Sequence, residues 1–340
     1  MFLAAPAPSL RLFGRFLVTM CALGALGVAG AQPAANGHAG KPAERGVSEW
    51  LLRMHEASRR RSYAGTFVVS SFAGEMSSAR IWHACEGEVQ MERVESLTGA
   101  PRAIFRRNDD VSTFLPENRV VRTEKRESLG PFQHLLTAGD NSIPDYYSAR
   151  GVGRDRVAGY DADVVQLVPK DNLRFGYRIW SEKKSGLVVK LQTLDTEGNV
   201  LEQAAFSELQ LDAPVRMDRL AQMMANTEGY RVERAEVVKT TAAAEGWTLR
   251  ASVAGFKPMT CYRRPAAENT MQWVFSDGLA SVSLFVEPYD RQRHTQEGLF
   301  AAVGATQTLT HRMQDWWVTA VGEVPAHTLR AFAMGLERRR

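Results

Sequence analysis

A chain of 340 residues with 44% hydrophobic and 24% charged content has apolar material for about two folded domains, which excludes a disordered protein. A net charge of +4 gives no electrostatic ground for nucleic-acid binding. The cysteines form no Cys-x-x-Cys pair, so a thioredoxin-type redox site is excluded too.

The first residues read as an export signal. Arg11 and Arg15 supply a positive start, and Phe16 to Ala29 is an apolar run too short for a comfortable membrane span. Ala29-Gly30-Ala31 fits the small-x-small cleavage rule, so residues 1–31 are predicted to be a signal peptide and Gln32 the first mature residue. The alternative is an uncleaved N-terminal anchor. Cys21 lacks the preceding leucine and small residues of a lipidation site. Cleavage leaves Cys85 and Cys261, as one disulfide or two free thiols.

Residues 32–46, rich in Ala, Gly and Pro, read as a flexible arm. A helix is predicted from Ser48 to about Arg60, with Ser48 as N-cap and Trp50, Leu51, Met54 and Ala57 at helical spacing. Arg59-Arg60-Arg61 suits the helix C-terminus, with a basic docking patch as the alternative. Residues 47–211 then form a β-rich domain. Runs such as YAGTFVVSSF, SARIWHA, EVQMERV, RAIFRR, VSTFLP and RVVRTEK are separated by turn formers, which predicts an antiparallel meander. An irregular insert is expected from Ser128 to Arg150, with a short helix near Phe132 to Leu136. The sheet resumes near Arg156. In RFGYRIWSEKKSGLVVKLQTLD, Phe175, Tyr177 and Ile179 alternate with Gly176, Arg178 and Trp180, and a charged turn leads into Leu187, Val189 and Leu191. Residues 212–225 read as a linker. Residues 226–340 read as a second domain, with strands at Met271 to Phe275, Ala280 to Val286 and within Thr306 to Ala320. A terminal helix is predicted from Pro325 to Leu336.

No stretch carries a catalytic motif. No His or Cys group has zinc spacing, and no Gly-x-Ser-x-Gly elbow or complete Gly-x-Gly-x-x-Gly loop is present. His83, His311 and His327 read as structural or surface residues. Ser276-Asp277-Gly278 reads as a hairpin turn rather than a penicillin-site motif. No metal or cofactor is expected. Distant residues can still assemble a site, so an exported hydrolase stays as a third reading.

Several strands place large apolar residues on both faces: Phe67-Val68, Ile81-Trp82, Ile179-Trp180 and Val188-Val189. Both faces of the sheet therefore need cover. One solution is two ordinary core layers. The other is a sheet curled over an apolar cavity.

The run Arg156-Val157-Ala158-Gly159-Tyr160, then Phe175-Gly176-Tyr177-Arg178-Ile179-Trp180, Ser185-Gly186-Leu187, Lys190, Asp195, Gly198, Leu201-Glu202-Gln203 and Phe206, resembles the RseB/MucB family of periplasmic regulators of the envelope-stress sigma factor (sigma-E or AlgU). Phe275-Ser276-Asp277-Gly278-Leu279-Ala280-Ser281-Val282-Ser283-Leu284-Phe285-Val286-Glu287 and Val321-Gly322-Glu323-Val324-Pro325 carry the same resemblance into the second domain. The resemblance implies an α+β chain with an N-terminal LolA-like half-open antiparallel β-barrel with helices and a smaller C-terminal α+β domain. It implies a non-enzymatic periplasmic protein that binds the periplasmic part of an RseA/MucA-type anti-sigma factor and shields it from site-1 proteolysis. A lipid-like signal, such as a lipopolysaccharide fragment, then releases it. The alternative on the same fold is a lipoprotein or lipid carrier, and homo-oligomerisation is left open. From strand patterning, the apolar concavity is assigned Phe67, Val69, Ile81, Trp82, Tyr177 and Ile179. The partner surface is assigned to the second domain, with Phe285, Trp316 and Trp317.

Overall fold

The computed structural model describes residues 46–125, 142–234, 236–264, 270–300 and 304–339. The leader, most of the arm and the helix expected at Phe132 to Leu136 lie outside the described residues. Helix α1 (Val47–Arg60) follows Gly46, which is extended and supplies no side-chain cap. Ser48 is therefore not the cap that was expected; it sits inside the first turn, exposed. What holds the helix is its stripe of Val47, Trp50, Leu51, Met54 and Ala57, all buried. Glu49 in the first turn and Arg59 and Arg60 in the last complement the helix dipole.

Two meanders follow. The first runs through β1 (Tyr63–Ser71), β2 (Met76–Glu86), β3 (Val89–Ser96), β4 (Ala103–Arg107), β5 (Asp110–Leu115) and β6 (Val120–Lys125), each antiparallel to the next. After the short helix α2 (Ile143–Tyr146) come β7 (Tyr147–Val157), β8 (Tyr160–Pro169), β9 (Gly176–Glu182), β10 (Val188–Leu194) and β11 (Val200–Leu211). The meanders join where β1 pairs antiparallel with β11, Tyr63 opposite Leu211. Helix α3 (Met217–Ala225) and β12 (Arg231–Arg234) complete this part, β12 lying parallel to β6. Among the described residues the sheet has twelve strands in the order β12-β6-β5-β4-β3-β2-β1-β11-β10-β9-β8-β7. Its two end strands do not pair with each other, so the sheet stays open, as the half-open expectation requires.

Two stretches differ from the sequence reading. Pairing of β7 with β8 begins at Tyr147, inside the insert expected to be irregular. This edge strand is mostly exposed, and a register shift falls between Gly151 and Gly153, so no apolar alternation announces it. Residues 212–225, read as a linker, carry α3, and β12 returns to the first sheet rather than opening the second. The cause is apolar: Met223, Met224 and Tyr230 pack on Phe105, Phe114 and Val121.

The remaining chain forms β13 (Val238–Lys239), β14 (Trp247–Leu249), β15 (Lys257–Arg264), β16 (Thr270–Ser276), β17 (Ser281–Pro288), β18 (Gly298–Leu299), β19 (Gln307–Met313), β20 (Trp316–Gly322), α4 (Ala326–Gly335) and β21 (Leu336–Arg338). Seven of these strands form a second sheet in the order β13-β15-β16-β17-β20-β19-β18, and β14 pairs with β21. Leu329, Phe332 and Ala333 of α4 close one face of that sheet over Phe275, Val282, Leu284, Val318 and Ala320. Strand alternation places Phe285, Gln272 and Thr319, which are register partners, on the face away from α4. Among the described residues Cys85 and Cys261 are free thiols, one on each sheet. No helix among them is long and apolar enough to cross a membrane.

Candidate functional site

Helix α1 lies against β8, β9 and β10. Trp50, Leu51 and Met54 pack with Val165, Leu167, Tyr177, Ile179, Val188 and Leu191. Arg53 ties the helix to the charged turn after β9, its guanidinium donating to the carbonyls of Glu182 (3.4 Å) and Lys183 (2.5 Å). Gly186 closes that turn at φ +87, and a Cβ there would lie 2.9 Å from the Arg53 Cγ. Tyr177 and Ile179, assigned to the concavity, are thus buried core beneath α1.

Phe67 and Ile81 belong to a different cluster, with Val69 partly buried beside them and Tyr63, Val164, Trp180, Val189 and Phe206 as neighbours. The Phe206 ring packs T-shaped against Phe67 and Tyr63, both at 6.2 Å between centroids. Tyr63 also stacks on His83 at 4.9 Å, and His83 faces the Glu92 carboxylate at 3.5 Å. Both His83 and Glu92 are buried, which fits a structural histidine. Burial, reinforced by Glu92 and Cys85, pushes the Tyr63 phenol far above its ordinary range. Trp82 follows Ile81 on β2 and so faces the opposite side of the sheet. The six residues assigned to one concavity therefore fall in three places: under α1, in the Phe206 cluster, and on the reverse face.

The two sheets meet at a group the sequence reading did not find. Arg174, just before β9, and Asp277, in the turn between β16 and β17, are both 0% exposed. Their ion pair is 2.8 Å long. The Asp277 carboxylate also accepts from the Leu279 and Ala280 backbone N–H groups (2.9 and 2.7 Å) and from the Tyr147 hydroxyl (3.1 Å). Arg174 donates further to the Ala254 carbonyl (2.6 Å) and to Asp171 (3.0 Å), and lies over the rings of Tyr146 and Phe256 at 4.5 and 5.1 Å. Burial holds the Asp277 carboxyl above its ordinary range, against the pull of those donors. Gly255 (φ +82) passes so close that a Cβ would lie 2.9 Å from the guanidinium nitrogens. Leu279, two residues on from Asp277, buries its side chain among Tyr177, Val165 and the α1 residues. Thr328 of α4 donates to the Leu173 carbonyl at 2.8 Å. A second contact joins β11 to the loop before β19, where the Ala305 N–H donates to the Glu202 carboxylate at 3.4 Å. Burial and the nearby Glu323 carboxylate raise the Glu202 pKa above 4.5.

A signal for this junction was present. Leu279 is an apolar residue at a hairpin turn, where turn chemistry calls for polar ones. Arg174 opens the very stretch whose alternation was read, but alternation says nothing about a partner 103 residues away.

The three residues assigned to the partner surface do not share one face. Phe285 is half-buried on the outer face of the second sheet. Trp317 is buried, stacked under the His294 ring at 4.7 Å. His294 is held by Glu287 (3.0 Å) and accepts from the Asp290 N–H (2.9 Å). Trp316 points to the other side, edge-on to Trp247 at 5.3 Å and under Arg338 at 4.6 Å.

Family models for the MucB/RseB N-terminal and C-terminal domains match residues 46–224 and 241–337. The chain is 30% identical to the Sigma factor AlgU regulatory protein MucB of Pseudomonas aeruginosa, over 85% of this chain and 90% of that one. It is 24% identical to the Sigma-E factor regulatory protein RseB of Escherichia coli K12, over 84% and 89%. Among solved structures, MucB in the Pseudomonas aeruginosa MucA/MucB complex superposes with a TM-score of 0.66 at 26% identity, covering 86% of this chain and 99% of that one. A crystal structure of MucB gives a TM-score of 0.61 at 26% identity, covering 86% of this chain and 98% of that one. The relatives named here are sigma-factor regulators rather than enzymes. With the two models together matching most of the chain, the chain belongs to the MucB/RseB family.

Proposed function

We propose that this chain is a periplasmic negative regulator that binds the periplasmic segment of a MucA-type anti-sigma factor and shields it from site-1 proteolysis. A lipid-like stress signal then releases it. The observation that carries the reading is that the chain spans 99% of the MucB chain that was solved together with MucA, both sheets included. A bare carrier would need only the first sheet. The leader at residues 1–31 would direct export and be removed.

The outer face of the second sheet around Phe285 is the proposed contact for the anti-sigma segment. It is half-buried, it lies away from α4, and the stacked pair of His294 and Trp317 stiffens its border. Trp316 and Trp317 support this face from behind and beside it rather than touching the partner. The lipid signal would enter at the open first sheet and wedge into the cluster of Phe67, Val69 and Ile81. Such a ligand releases the partner only by binding the free form more tightly than the complex. Shifting the regulator from mostly bound to mostly free takes roughly 5 kcal/mol of differential affinity. Burial of acyl CH₂ groups, at about 0.8 kcal/mol each, supplies that scale.

The test is calorimetric titration of the mature protein with the periplasmic segment of the anti-sigma factor from the same organism, with and without a lipid A fragment. Binding that weakens on adding the fragment supports the reading. Fragment binding with no response to the anti-sigma segment would make the chain a carrier.

A further inference from the structure

Ala64, Trp82, Arg93 and Phe105 stand in register across β1 to β4, on the face opposite Phe67 and Ile81. Helix α3 covers the Phe105 end of this row. It leaves the Trp82 end open, and a cleft of about 400 Å³ remains between the sheet and the helix. Trp82 and Arg93 form its floor, and Leu220 and Met223 its apolar wall. Arg216 and Arg219 stand at its rim. A second cleft of about 440 Å³ continues along α3 past Arg216, Asp218, Arg219 and Met223 to Asn226.

The charge of the trough is predominantly basic, with Asp218 its one lining carboxylate. Three arginines and no Asp or Glu line the first cleft. Arg93 lies over the Trp82 ring at 4.7 Å and Arg80 over it at 5.6 Å, so the indole is flanked by guanidinium groups. Arg93 is held by Glu95 at 2.9 Å and Arg216 by Asp218. Among the described residues the exposed Arg219 guanidinium meets no carboxylate. Helix α3 has nine residues and is about 13 Å long, a length that about four residues of extended chain span.

We propose that this trough binds an extended acidic peptide segment in which carboxylates alternate with apolar side chains. Arg216 and Arg219 meet the carboxylates, since guanidinium forks match carboxylate geometry. An apolar side chain lies between Trp82, Leu220 and Met223. The open, shallow shape fits a strand of peptide better than the acyl chains of a lipid, which need an enclosed apolar channel. This surface is separate from the Phe285 face and does not depend on the role proposed there.

The test uses the full mature chain and a fluorophore-labelled peptide alternating glutamate and leucine, read by anisotropy. The peptide is expected to bind, to weaken as salt is raised, and to lose affinity by about tenfold or more in Arg219→Glu and in Arg216→Glu. Both side chains are exposed, so the variants are expected to keep the wild-type circular dichroism spectrum. A lysine–leucine peptide is expected not to bind. The proposal fails if the acidic peptide does not bind, or if it binds both variants as it binds wild type. It also fails if vesicles of phosphatidylglycerol bind with the same arginine dependence and the peptide does not.

Discussion

Arg174 and Asp277 form a 2.8 Å ion pair with neither side chain exposed, and the pair bridges the two sheets. Every oxygen of the carboxylate is occupied by protein donors, and the guanidinium is bonded on three nitrogens. Buried pairs of this kind cost desolvation to assemble, and their removal exposes that cost. Arg174→Ala is expected to destabilise the chain by roughly 3–5 kcal/mol, because it leaves the Asp277 charge buried and unpaired. Replacing both partners with apolar residues, Arg174→Met with Asp277→Leu, is expected to cost less than the single change. Urea unfolding of the two variants and wild type checks the order; a double variant as damaged as Arg174→Ala would contradict it.

Leu279 is the apolar half of the same junction. Leu279→Ala removes a side chain buried among Tyr177, Val165 and α1, and is expected to cost about 2–5 kcal/mol. Met271→Ala, in the core of the second sheet alone, serves as the comparison. Amide hydrogen exchange should show Leu279→Ala loosening α1 and β9, far from it in sequence, where Met271→Ala leaves them unchanged.

Glu202 makes the junction weaken as pH rises from acid to neutral. Its folded pKa lies above the ordinary 4.5 because of burial and then the Glu323 carboxylate. A raised acid favours the fold in its neutral form, so this contribution is fully present below about pH 4.5 and is lost as pH rises through the raised value. Glu202→Gln is expected to remove that loss and to raise the neutral-pH unfolding midpoint relative to wild type. Denaturation midpoints across a pH series decide it; parallel curves for the two proteins would contradict the assignment.

The two thiols are expected to differ in reactivity. Burial, with a smaller push from Glu245, raises the Cys261 pKa to about 11, while Cys85 is partly exposed. Iodoacetamide at neutral pH should modify Cys85 in the folded protein and Cys261 only in denaturant, as mass spectrometry of the peptides would show. An intact Cys85–Cys261 disulfide in the purified mature protein would contradict the free-thiol arrangement.

The strands were the most legible part of the chain. Runs such as VLEQAAFSELQL became β11 from Val200 to Leu211, because a half-buried strand must alternate. β7 was hidden because an exposed edge with Gly151 and Gly153 has no core face to impose a pattern. The MucB/RseB motifs of the second sheet were read as identity marks. Asp277 and Leu279 of those motifs build the junction with Arg174 of the first sheet, which needs both sheets in place before any residue of it makes sense. The adjacent Ile179 and Trp180 signalled two covered faces, and both are buried, but patterning alone could not say that different clusters cover them, nor that the reverse face at Trp82 is left partly open.

The seam between β1 and β11 has a kinetic consequence. Within each meander, neighbouring strands are close in sequence, and such contacts form early and cheaply. Joining Tyr63 to Leu211 closes a loop that contains almost all of both meanders. The first sheet should thus assemble as two local halves and wait on one late zipper, and until it closes, both halves present raw strand edges. That interval is when the chain is most exposed to aggregation.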